Sequence, residues 1–198
     1  MKTSPLPFLL LLALWGVAGV AAGLVHLLAH LPPLAIPLLV GGLTLALTLA
    51  STQLVWVRGP VAGFGTRQIL VVNVLRLIGF YFLWLNVQGR LPAEFAHRAG
   101  WGDVAVAAAA LALLFLPDGP FFQRALRVWN LLGLADLLLA VGTGGWLNLT
   151  RPASMIEMSG LPLTLVPLWL VPIYLFGHLV IYRRLGKSCT DRAALAAV

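Results

Sequence analysis

Residues 68–87 read QILVVNVLRLIGFYFLWLNV. The stretch is apolar and long enough to cross a bilayer as one helix, and Arg76 sits near its middle. A charge at the bilayer centre costs roughly 2.5–3.5 kcal/mol on insertion scales, so it is seldom left without a partner. Residues 125–142 read ALRVWNLLGLADLLLAVG and carry Asp136 in the same setting. Arg76 lies nine residues from Arg67, roughly 13 Å along a helix. Asp136 lies twelve residues from Arg124, roughly 18 Å. That similar depth predicts an ion pair between two neighbouring spans, the cheapest way to keep both groups charged.

Working outward, the 198 residues are 61% hydrophobic and 10% charged. Apolar runs separated by Pro and Gly breakers predict six spans, at 6–29, 36–57, 68–87, 103–116, 125–142 and 161–182. The fold expected is an all-α polytopic membrane bundle, a single transmembrane domain with a short basic tail at 183–198. The third link, 91–102, reads as a loop with an interfacial helical turn. Residues 144–160 read as the longest loop. The last span carries Pro162, Pro167 and Pro172, which predicts a bent helix.

The net charge of +7 does not point to nucleic acid, because the basic residues fall in links and the tail. Nine Lys and Arg fall on one side of the six spans, three on the other, and Arg76 between them. The positive-inside rule then places both termini in the cytoplasm, with the basic face against anionic lipid headgroups. Trp56, Trp101, Trp129, Trp146 and Tyr182 are expected at span ends, where amphipathic rings favour the interface. The N-terminus resembles a signal peptide, but its apolar run continues far enough to span and carries Gly19-x-x-x-Gly23, a spacing that suits close helix packing. The expectation is a retained first helix. The lone Cys189 allows no intrachain disulfide and reads as a free cytosolic thiol.

Two polar constellations are candidates for function. Within the membrane, Asn73, Asn130 and His178, with Tyr174 on the same helix, fall below Arg76 and Asp136 towards the inner side, and Asn86 and Asp103 lie further towards the outer side. Tyr174 and His178 share a helix face at i, i+4. The set forms a polar track that suits a small ligand or lipid, and its plain alternative is interhelical hydrogen bonding. On the outer face, His26 and His30 are spaced i, i+4, and Glu94 and His97 i, i+3. Imidazole with carboxylate is an adequate donor set for zinc, copper or iron. No phosphate-loop, dinucleotide, calcium-loop or zinc-finger pattern is present, and nothing in the sequence requires a cofactor.

Several segments resemble an uncharacterised family of bacterial multi-pass integral membrane proteins. They are Arg76-x-x-Gly79; Leu91-Pro92-x-x-Phe95-Ala96; Gly100-Trp101-Gly102-Asp103; Trp129-Asn130-x-x-Gly133-x-x-Asp136-Leu137; and Leu161-Pro162, Pro167, Pro172 and His178. The resemblance covers about residues 70–185 and leaves out the first two helices. It carries no activity. It implies weight on Arg76, Asp103, Asn130, Asp136 and His178, and none on His26, His30, Glu94 or His97. It also implies a bacterial cytoplasmic membrane.

Three function classes remain. The first is intramembrane binding of a small ligand or lipid, with room for catalysis using Asp103 or Asp136 as acid or base. The second is a small transporter or proton or solute channel along the polar track. The third is an accessory subunit, its polar groups gripping partner helices. No inverted repeat supports the second, and no nucleophile–base motif supports hydrolysis.

Overall fold

The structure is a computed structural model that describes residues 5–196, with side chains as far as residue 186. Lys2, Val198 and the side chains of Lys187, Cys189 and Arg192 lie outside the described residues. Among the described residues the chain is helical and contains no strand. Six helices are long and apolar enough to cross a membrane. The α-helices are α1 (Leu6–Leu24), α2 (Ala35–Gln53), α3 (Val55–Gly63), α4 (Thr66–Val74), α5 (Gly79–Val87), α6 (Ala93–Phe115), α7 (Pro120–Thr150) and α8 (Val171–Ala196). A 3-10 turn, Leu75–Ile78, joins α4 to α5, so these run as one span, Thr66–Val87. Arg76 sits inside that tightened turn. A π-helical turn, Val166–Leu170, containing Pro167, opens the last span, Val166–Gly186.

Several expected boundaries move, among them the start of the last span, which opens at Val166 and not at residue 161. The first span stops at Leu24, because His26 adopts a left-handed backbone (φ 49°) before a short 3-10 turn, Leu27–His30. Residues 54–57 leave the second span and join α3, which carries Pro60 inside it. The expected 91–102 loop is instead the first half of α6. Gly102, the end of that expected link, and Gly100 lie within this helix, where neighbouring helices come too close for a side chain. The fifth span runs on to Thr150, absorbing the expected Gly144-Gly145 break. The same helix begins at Pro120, ahead of the expected residue 125, so Trp129 lies inside α7 and is buried, its indole donating to the Val106 carbonyl at 2.9 Å. Trp56, Trp101, Trp146 and Tyr182 are exposed.

The spans alternate in direction. One end of the bundle, the basic end, holds α3, the 116–119 turn and Arg58, Arg67, Arg124, Arg127 and Arg183. The opposite end holds the 88–92 and 151–165 segments. Helix α6 forms the centre, packed most extensively on α4, α5 and α7. Helix α1 lies at the edge, with only Phe8, Gly19, Ala22 and Gly23 buried. Its Gly19-x-x-x-Gly23 spacing does serve packing, since Gly19 receives Leu165 and Gly23 receives Leu161.

Candidate functional site

The Arg76 side chain is fully buried. The 3-10 turn around it puts its guanidinium between α6 and α7, where three oxygens meet it. Nε donates to Asp103 Oδ1 at 2.7 Å, Nη2 donates to Asp136 Oδ2, and Nη1 donates to the Gly133 carbonyl at 3.3 Å. The Tyr174 ring covers the guanidinium, its centroid 5.9 Å from the central carbon. The arginine fork is thus engaged by α6, α7 and the last span together. The expected contact between Arg76 and Asp136 is present. Asp103 is a direct second partner, which sequence position alone had placed nearer the outer face. The formal count is one cation to two carboxylates.

Glycines make this approach possible. A Cβ on Gly102 would coincide with the Asp136 carboxylate, and one on Gly79 would meet the Gly100 carbonyl. A Cβ on Gly133 would meet His178 Cε1 at 2.5 Å and Nε2 at 2.9 Å. Gly79, Gly100, Gly102 and Gly133 therefore bring the helices together around Arg76. The family-like motifs thus read as a construction: Gly100-x-Gly102-Asp103 and Asn130-x-x-Gly133-x-x-Asp136 each pair small residues with the polar group they admit.

His178 is fully buried one layer away. Its Nδ1 donates to Asn130 Oδ1 at 2.9 Å, and its ring lies against Trp129, centroids 4.9 Å apart. With Nδ1 as donor, Nε2 of the neutral ring is an acceptor, and it has no partner among the described residues; nor does the Tyr174 hydroxyl. Asn73 is buried, donates from Nδ2 to the Ile69 carbonyl at 2.9 Å, and leaves Oδ1 without a partner. Asn86 is apart from this group, capping the local turn by donating to the Leu91 carbonyl at 2.9 Å.

The outer-face quartet is not brought together. His26 and His30 do not share one continuous helix, because the backbone reverses at His26, whose Nδ1 faces Ser159 Oγ at 3.2 Å. Glu94 accepts from Arg151 at 2.7 Å. Among the described residues no three His, Cys, Asp or Glu side chains cluster in a way that could hold a metal ion. Glu94 and His97 do share α6, whereas His26 and His30 belong to the turn after α1 and not to a continuous helix. The opposite end is instead held by two cross-segment ion pairs. Arg151 with Glu94 is one. The other is Arg90 with Glu157 (3.1 and 2.8 Å), whose carboxylate raises the Arg90 pKa above its ordinary value.

Two cavities flank the ion cluster. One of about 70 Å³ reaches towards the opposite end and is walled by Phe82, Phe95, Val40, Leu137 and Met155, with Asp103 as its charged wall. The other, about 240 Å³, lies towards the basic end between α1, α2, α3, α4 and the last span. Asn73 is the polar side chain in its wall apart from the Trp169 indole, which already donates to the Leu12 carbonyl at 3.0 Å.

A family model described as a domain of unknown function (DUF8737) matches residues 33–186. That match fits the resemblance to an uncharacterised family and extends it to include α2. No curated protein and no solved structure matches the chain.

Proposed function

The chain belongs to the DUF8737 family, and we propose that it is an integral membrane protein that binds a small ligand, or the polar part of a lipid, beside Arg76, Asp103 and Asp136. It sits in a bacterial cytoplasmic membrane with both termini in the cytoplasm. The nine-against-three distribution of Lys and Arg supports that orientation, and the six apolar helices support the insertion. The bilayer is then its obligatory partner, with anionic headgroups meeting the basic end.

The observation that carries the reading is the small cavity walled mostly by apolar side chains, with Asp103 and Asn148 as its polar members. Each of the three Arg76 guanidinium nitrogens already donates to a protein oxygen, so its main part is to position the carboxylates, which are left to meet the ligand. The carboxylate in surplus over the single cation favours a ligand group that donates hydrogen bonds or carries positive charge, since uncompensated charge is costly in this setting. At about 30 Å³ per water, the 70 Å³ space takes roughly two waters or one small polar group.

The test is native mass spectrometry of gently purified protein beside Asp103→Asn, which preserves shape and removes charge. A bound non-protein mass on the wild type that is lost in the variant supports the reading. Identical spectra, with neither form carrying a ligand, sink it. Solute flux in proteoliposomes without a retained ligand would move the assignment to transport, and a co-purifying stoichiometric membrane protein would move it to an accessory subunit.

A further inference from the structure

The larger cavity is a different place with different chemistry, and nothing about it rests on the Asp103 site. Its wall is built from Leu47, Val61, Phe64, Ile69, Ile173 and Phe176, among others. Its volume of about 240 Å³ exceeds the roughly 150 Å³ that in other proteins stays dry and binds benzene. Leu75 belongs to the wall and is 60% exposed, so the space opens sideways onto the apolar surface of the bundle. An opening there meets hydrocarbon in a bilayer and no water.

The basic end supplies the other half of the argument. Arg184 donates to the Val61 carbonyl at 3.0 Å and the Phe64 carbonyl at 2.6 Å, pinning the end of α3 over the cavity. Arg58 lies one helical turn before Val61, is exposed, and has no ion pair among the described residues. An apolar slot open to hydrocarbon, roofed by a helix that presents a free guanidinium, matches a tail and an anionic head on one molecule.

We propose that this cavity holds an acyl chain of an anionic phospholipid from the leaflet at the basic end, with its headgroup beside Arg58. The full chain is reconstituted in nanodiscs containing phosphatidylglycerol with a diazirine near the end of one acyl chain. After irradiation, adducts are mapped by peptide sequencing. Labelling of Val61, Phe64, Ile173 or Phe176 above the lipid-facing residues Leu38 and Leu139 is the expected result. Ile173→Phe and Val61→Trp each fill the space and should remove that labelling while Leu38 and Leu139 are labelled as before. Two independent fillers are used so that a folding failure in one leaves the other to decide. Labelling confined to Leu38, Leu139 and their like, or unchanged in a folded filled variant, overturns the site. The same diazirine on phosphatidylethanolamine should label the cavity less, and Arg58→Gln should abolish the difference. Equal labelling by both lipids in the wild type overturns the anionic headgroup.

Discussion

Arg76 and Asn73 are one helical turn apart on the same span, and both are buried, yet their surroundings differ in kind. Around Arg76 each guanidinium nitrogen donates to Asp103, Asp136 or the Gly133 carbonyl, and glycines let the backbones close in. Around Asn73 the amide nitrogen folds back onto its own helix, the oxygen is left over, and a cavity of about 240 Å³ follows. A charge in an apolar bundle forces dense, specific construction, because leaving it unmet costs several kcal/mol. A neutral amide does not, so the helices there are free to stay apart and leave room for a guest.

The comparison breaks first at Arg76. Arg76→Met leaves the buried Asp103 and the half-buried Asp136 without their cation, and loss of one partner of a buried ion pair costs about 3–5 kcal/mol. The expected outcome is a large drop in thermal midpoint or in folded yield. The triple change Arg76→Met, Asp103→Asn, Asp136→Asn should recover much of it, because the polar groups left are neutral. Chromatographic monodispersity after a heating series reads both. A triple variant no better than Arg76→Met would mean that shape, and not charge balance, dominates this region.

The next effect tests the glycines. Gly102→Ala puts a methyl group where the Asp136 carboxylate lies, and Gly133→Ala presses on the His178 ring. Overpacking costs typically about 1–3 kcal/mol, so each should lower the midpoint measurably, though less than Arg76→Met. Gly41→Ala, where nothing lies within 4 Å, is the control and should leave it unchanged. An equal loss in all three would show that the glycines matter through backbone conformation and not through close approach.

These glycines also mark where the sequence was readable and where it was not. Hydrophobicity and length were enough for six spans, and depth along two of them was enough to pair Arg76 with Asp136. The contact of Asp103 with Arg76 escaped because the stretch from Leu91-Pro92 to Gly102 read as a link, which cut α6 short and moved the aspartate towards an interface. In a tightly packed bundle glycine is as much a contact residue as a breaker, and only the partner helix decides which. Trp129 was misplaced for a different reason, since α7 begins at Pro120, ahead of the apolar run that marked its start. The histidine pair misled in the opposite sense, since i, i+4 spacing has meaning only on a continuous helix and the backbone turns at His26. The cavities had no local signal, because an apolar wall residue and an apolar core residue look alike in one dimension.

A smaller effect separates the two regions from the other side. Asn73→Leu removes an acceptor that has no partner while keeping an apolar shape of similar size, a change that is near neutral or mildly stabilising. The expected shift in midpoint corresponds to less than about 1 kcal/mol. Asn130→Leu provides the contrast, since it strips His178 of its hydrogen bond and leaves the buried imidazole with neither nitrogen satisfied, at a cost of about 1–3 kcal/mol. Should Asn73→Leu prove as damaging as Asn130→Leu, the amide oxygen has a partner that the protein alone does not supply.

The smallest expected effect lies at the opposite end. Arg90 with Glu157 and Arg151 with Glu94 tie segments far apart in sequence, and both pairs are exposed. Exposed ion pairs gain little, because water and salt screen the attraction and two long side chains must be held still. Arg90→Gln or Arg151→Gln should therefore leave the thermal midpoint within experimental scatter, and raising the salt concentration should do the same to the wild type. The Arg76 cluster is shielded from solvent, so its contribution should barely respond to the same salt. A midpoint that falls steeply with salt in the wild type, and no longer does so in an Arg90→Gln, Arg151→Gln double variant, would place the electrostatic hold of this bundle at its surface and not at Arg76.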